Sequence, residues 1–226
     1  MGLSPAISYI QWRQTARLVP SRFPPILLFD RVADSSDFDA LYQLESMTND
    51  RMRDEVGEIN LIHPDDRIYG VGSTPIMAAF THSNPLGSRF TDGSYGIYYA
   101  GRDIDTAIAE VRHHLAKFYL YTREGALQTD MRSYYADVNA NLHDIRNMQS
   151  SLQDVYNPND YSVSQAFGAK YKKANSMGIV YSSVRHSGGE CVAILRPCAL
   201  SPAIQGAHYR FDWDGASISN VISYSS

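Results

Sequence analysis

The chain is poor in cysteine and in charge: Cys191 and Cys198 are the only cysteines among 226 residues, and charged side chains make up 19%. Two thiols do not suggest a disulfide framework, and a reducing compartment is expected. No stretch approaches the roughly 20 apolar residues of a membrane span. The opening residues lack a basic segment leading into an apolar run, so a secretion signal is not indicated. Ala6 stands where N-myristoylation requires Ser or Thr. The net charge is −4 and no run of Lys and Arg breaks it, so the footprint of a nucleic-acid binder is missing. These absences point to a cytoplasmic protein without direct membrane or nucleic-acid contacts.

What remains is the composition of a folded protein, with 44% hydrophobic residues, enough length to bury a core, and no internal repeat or separating linker. Residues 1–65 read as a mostly helical extension packed on a main domain, 66–226. A short helix is expected near Ile7–Val19, and a second from Phe38, with Leu41, Leu44 and Met52 on its apolar face. Residues 58–70 look like turn-rich, strand-sized pieces, in which His63, Asp65 and Asp66 read as solvated. Ser73-Thr74-Pro75 starts a helix, with a hydroxyl cap and proline in the first turn. The Gly70–Pro75 stretch is no dinucleotide fingerprint, because Pro75 occupies the third glycine position.

The clearest element follows the strand Gly96–Ala100. Asp103 or Asp105 can cap a helix in which Ile104, Ile108, Val111, Leu115 and Phe118 recur at spacings of four and three. Glu110 falls about 120° from that stripe, on the flank where a helix meets a groove, and His113 falls in solvent. His113 and His114 are adjacent on the helix and cannot face one metal together, so no metal site is expected. Further on, a helix is expected around Leu142–Val155 and another opening at Ser162 or Ser164. The segments Gly178–Val184 and Cys191–Leu195 form a hairpin around a glycine turn. Ile179, Tyr181 and Ser183 share one face of its first strand. Cys191 reads as buried and inert, and the tail as one last short strand.

Arg89, Tyr99 and Glu110 come from a glycine turn, a strand and a helix, at intervals of ten and eleven residues. A fixed cation, a flat ring and a carboxylate converging in this way can bind and cleave a charged substrate that carries a ring. Gly87-Ser88-Arg89-Phe90, then Tyr99, then Thr106–Glu110, and far downstream Tyr181–Val184 resemble the RES-domain family, whose members are toxins of bacterial toxin–antitoxin pairs. Phe90 replaces the family's tryptophan, and Ser182 its proline, so the choice of Ser183 over Ser182 rests on register.

The resemblance implies an α+β fold: a small split β-sheet core with surrounding helices, similar to diphtheria-type ADP-ribosyltransferases. It implies NAD as substrate, with no cofactor, and cleavage of the nicotinamide–ribose bond by water or phosphate. Glu110 would stabilise positive charge at the ribose. Arg89 would grip the pyrophosphate, Tyr99 would stack on nicotinamide, and Ser183 would bond the ribose or carboxamide beside Phe90. A neutralising antitoxin with a helix-turn-helix domain is the implied partner, and the sequence leaves a homo-oligomer open. Two rivals stand beside this reading. One is an ADP-ribosyltransferase that modifies a macromolecule; the other is a non-catalytic binding module in which Arg89 and Glu110 are an ion pair.

Overall fold

The computed structural model describes residues 4–21, 30 and 57–224. Among these, seven strands form one sheet and three α-helices pack around it, an α+β architecture. The strands are β1 (Ala6–Pro20), β2 (Tyr98–Gly101), β3 (Leu127–Asp144), β4 (Gly178–Ser182), β5 (Glu190–Ile194), β6 (Ile204–Trp213) and β7 (Ile218–Tyr224). Their order is β1-β2-β5-β4-β3-β6-β7, and β1 also pairs with β3, so the first five strands in that order close on themselves. The helices are α1 (Thr74–Thr81), α2 (Ile104–Thr122) and α3 (Ser162–Lys173).

The segment expected to be a helix near Ile7–Val19 is instead β1, paired antiparallel with β3 from Ala6↔Asp144 to Pro20↔Met131. Pairing with a partner more than a hundred residues away overrides its local pattern. A bulge between Trp12 and Thr15 puts Gln14 at φ 55, where Asp137 Oδ1 accepts from its amide at 2.9 Å. The second expected helix, from Phe38, lies outside the described residues. The helix expected around Leu142–Val155 is the end of β3 followed by turns. In β3, Tyr134, Ala136, Val138, Ala140 and Leu142 alternate inward, the period of a strand with one face in the core. The tail carries two strands, β6 and β7, where one was expected.

The locally signalled elements stand where the sequence puts them. Ser73 makes no side-chain cap on α1; the Asp30 carboxylate accepts from Gly72 N and Thr74 N, both at 2.9 Å. Asp103 caps α2, accepting from Thr106 N at 2.7 Å. The α2 stripe packs on Leu18, Met131, Phe211 and Trp213, but Phe118 is 52% exposed and Tyr119 is buried in its place, 5.5 Å from the Trp213 ring. Two short 3-10 turns, Ile59–Leu61 and Pro64–Asp66, replace strand-sized pieces at 58–70. The expected hairpin is present as β4 and β5, with β4 ending at Ser182, and Cys191 is buried on β5. No helix among the described residues is long and apolar enough to cross a membrane.

Asp66 is not solvated: it is 8% exposed and held by Arg196, whose Nη2 donates to Oδ1 at 2.6 Å and whose Nε lies 3.0 Å from both oxygens. Burial alone pushes this carboxyl up, but the hydrogen bonds and charge of Arg196 prevail, and its pKa lies below the usual carboxylate value. A depressed folded-state pKa stabilises the fold above the unfolded value of about 4 and ceases to do so as pH falls through the folded value. Asp66→Asn is expected to cost about 2 kcal/mol at neutral pH. Denaturant melts at a series of pH values should show that difference shrinking on acidification.

Candidate active site

The Ser88–Thr91 turn is built from its backbone outward. Gly87 sits at φ 72, and a Cβ there would meet Thr91 O at 2.6 Å, so the tight turn needs glycine. Ser88 N donates to Thr91 O at 2.7 Å. Tyr99 fixes the turn from β2: its hydroxyl lies 2.8 Å from Ser88 Oγ and accepts from Phe90 N at 3.0 Å. Tyr95 Oη donates to Phe90 O at 2.6 Å, and Gln165 Nε2 to Ser88 O at 3.2 Å. Period-2 alternation places Tyr98 in one core and Tyr99 against another. Burial pushes the Tyr99 phenol up, only partly offset by these hydrogen bonds.

Arg89 leaves this turn and is 7% exposed. Its Nη1 donates to Val155 O and Asn157 O, both at 3.1 Å, and the guanidinium lies 4.8 Å from the centre of the Tyr161 ring. The side chain therefore clamps the 155–161 segment. Phe90, expected to face substrate, is 1% exposed, with its ring edge-on to Tyr181 at 5.2 Å. It anchors the turn in the core and has no free face.

Glu110 leaves α2 on the flank, as its angle to the apolar stripe requires. Ser183 Oγ donates to Glu110 Oε1 at 2.6 Å. The same oxygen accepts from Arg185 N at 3.0 Å and His186 N at 2.9 Å, so its proton can point only at the carboxylate. Ser182 turns away and donates to Arg146 O at 2.7 Å. The serine that meets the glutamate is Ser183.

Thr106 and His186 were not visible in the sequence as part of this arrangement. Thr106, fully buried one turn before Glu110, has its Oγ1 2.9 Å from His186 Nδ1. The chain Thr106, His186, Ser183 and Glu110 starts and ends on α2, a closed ring that fixes the loop after β4. A contact between a loop side chain and a helix side chain leaves no periodic signal.

The two halves meet through one segment. Arg185 Nη2 donates to Pro158 O, beside the carbonyls that Arg89 holds. The Cys191 thiol lies 4.0 Å from Glu110 Oε1 and is pushed up first by burial and then by Glu110, with Arg89 pulling the other way. Among the described residues Arg89 and Glu110 are not paired with each other: one holds carbonyls and the other a hydroxyl. A carboxylate oriented by a hydroxyl can hold a sugar hydroxyl and stabilise positive charge at the adjoining carbon.

The RES domain model matches residues 66–214, two thirds of the chain and the span holding all four of these residues. The chain belongs to the RES-domain family. A protein of Sinorhizobium fredii (strain NBRC 101917 / NGR234) called "Uncharacterized protein y4oC" is 30% identical over 213 residues, 92% of this chain and 86% of that one. A chain in the crystal structure of the M. tuberculosis MbcT–MbcA toxin–antitoxin complex is similar over 96% of this RES-domain protein and 87% of its own length. That likeness has a TM-score of 0.47 at 12% identity. Strand β1 lies outside the RES match yet pairs along β3 within it.

The serine assignment makes a direct contrast. Ser183→Ala removes the hydroxyl that orients Glu110 and is expected to lower turnover at this site about 10- to 100-fold, while Ser182→Ala costs stability of about 1 kcal/mol and leaves turnover intact. Turnover and melting curves of the two variants, measured side by side, check it.

Proposed function

We propose that this RES-domain protein is the toxin of a toxin–antitoxin pair and degrades NAD by cleaving its nicotinamide–ribose bond. The observation that carries the reading is the 2.6 Å hydrogen bond from Ser183 to Glu110, whose carboxylate lies 4.0 Å from the Cys191 thiol, while Phe90 of the Arg89 turn packs on Tyr181 in the same core. In this reading Glu110 stabilises the cationic ribose carbon as nicotinamide leaves, and its second oxygen takes a ribose hydroxyl. Nicotinamide departs as a neutral ring from a cationic one, so no strong nucleophile is needed. Tyr99 lies half-buried beside the turn and offers its ring to nicotinamide. Arg89 holds the 155–161 segment over the cleft and adds positive potential for a pyrophosphate. The protein works in the cytoplasm, and an antitoxin with a helix-turn-helix domain covers the site until it is released.

Product analysis of NAD incubated with purified, antitoxin-free protein, with and without phosphate, tests the reading. Nicotinamide with ADP-ribose is the outcome for a glycohydrolase, and nicotinamide with phosphorylated ADP-ribose for a phosphorylase. Label transferred to a macromolecule would instead mark an ADP-ribosyltransferase, and intact NAD would remove the enzyme reading.

A further inference from the structure

On a face of α2 that does not include Glu110, the helix borders a groove of about 440 Å³ that it forms with the Ser217–Ile218 end of the β6–β7 hairpin. The groove follows α2 from Asp105 to Ala116, roughly 17 Å at 1.5 Å per residue, the scale of a nucleotide more than of a single phosphate. Ile108, Ala109 and Ile218 supply an apolar surface, and Arg112, His113 and Arg185 line it with positive or protonatable groups. A chain of net charge −4 thus gathers two guanidiniums and an imidazole along one cleft.

The groove and the candidate active site share a wall. His113 lies one turn beyond Glu110 on α2, about 5–6 Å away at Cβ. The amide of Arg185 holds Ser183 Oγ at 3.0 Å, while its side chain lines the groove. Arg112 Nη2 donates to Ile218 O at 2.5 Å, which fixes it across the cleft. Arg185 Nε is buried with no protein acceptor among the described residues, an unsatisfied donor that a ligand oxygen would satisfy. Burial first, and then the cations Arg185, Lys117 and Arg89, hold His113 below its ordinary value.

We propose that this groove binds the pyrophosphate and adenosine end of the dinucleotide whose nicotinamide end lies at Glu110, a proposal that rests on the function proposed above. Arg185 and Arg112 meet the phosphate oxygens, since a guanidinium matches their geometry. Ile108 and Ile218 take the flat face of the base. Asp105, the one carboxylate of the groove, accepts from ribose hydroxyls. Arg89, occupied by carbonyls, then supports the cleft while Arg185 grips the substrate.

Calorimetric titration with ADP reads the groove without any chemistry. Wild-type protein should bind ADP, and Arg185→Ala should weaken that binding at least about tenfold. Because Arg185 also holds Pro158, a second variant, Ser217→Glu, adds negative charge at an exposed position of the groove away from Glu110. It should weaken ADP equally and raise the KM for NAD with kcat unchanged. No ADP binding by the wild type, or unchanged binding in both folded variants, overturns the proposal. ADP bound through these residues while NAD stays intact keeps the groove and removes the NAD reading. NAD cleaved with the same KM in both variants removes the groove and keeps that reading.

Discussion

On the proposed function, Glu110→Gln is expected to lower NAD turnover by roughly 10²- to 10³-fold or more, the scale of removing one well-placed electrostatic group. The variant keeps the size of the side chain and an acceptor oxygen for Ser183. Since Ser183 Oγ already accepts from Arg185 N and His186 N, its proton still has one place to go, and the loop after β4 stays in position. Only the charge is lost. Stability should therefore change by less than about 1 kcal/mol, with the melting temperature within a few degrees of wild type. Substrate binding should persist while kcat falls, since the charge matters most as the ribose becomes cationic. Steady-state kinetics beside a thermal melt checks both halves; full turnover in a folded variant would take Glu110 out of the chemistry.

The contrast between charge and scaffold explains which parts of the molecule could be read in the sequence. Helices α1 and α2 carry their own signals: Pro75 in a first turn, Asp103 at a cap, and the Ile104–Ile108–Val111–Leu115 stripe. The β4–β5 hairpin declares itself through its glycine turn. These are local rules, and they place Tyr99 on its strand and Glu110 on the flank of its helix, while Ser183, expected on the strand, falls one residue past the end of β4. β1 and β3 obey a non-local rule instead. The inward set Tyr134, Ala136, Val138, Ala140 and Leu142 is a clean alternation, but Asp137, Asn139 and Asn141 between them give the composition of a loop. Ile7 and Tyr9 on β1 are large and exposed, so that strand has no one-sided pattern to read. Within the site, the carbonyls that occupy Arg89 and the His186 ring that meets Thr106 depend on loop backbone, which leaves no spacing rule. Phe118 fits the stripe by angle, yet Trp213 packs on the Tyr119 flank of the last turn and decides the matter.

Gly168→Ala should be strongly destabilising, because among the described glycines an added Cβ makes its shortest contact there. In an open helix the exchange would stabilise by up to about 1 kcal/mol, because alanine is the better helix former. On α3 the added methyl would lie 2.0 Å from Phe90 O and 2.7 Å from Phe90 C, backbone atoms that no rotamer change can move. The turn they belong to is held by Tyr99, Tyr95 and Gln165 and by a ring buried against Tyr181, so it cannot give way without breaking those contacts. Overpacking of this kind costs about 1–3 kcal/mol, and contact with a fixed carbonyl puts it at the upper end. The clash outweighs the propensity gain, and a net loss near 2 kcal/mol corresponds to a fall in Tm of roughly 4–8 °C for a chain of this size. Gly125→Ala, where nothing lies within 4 Å, is the control and should melt with the wild type. If α3 yields in place of the turn, Arg89 keeps its carbonyls and activity on NAD survives the loss of stability. If the turn yields, Arg89 and Tyr99 shift together and activity falls more steeply than the melt. Measuring both on one preparation tells which of the two contacts is the softer, and a Gly168→Ala protein as stable as Gly125→Ala would mean that α3 does not press on the arginine turn at all.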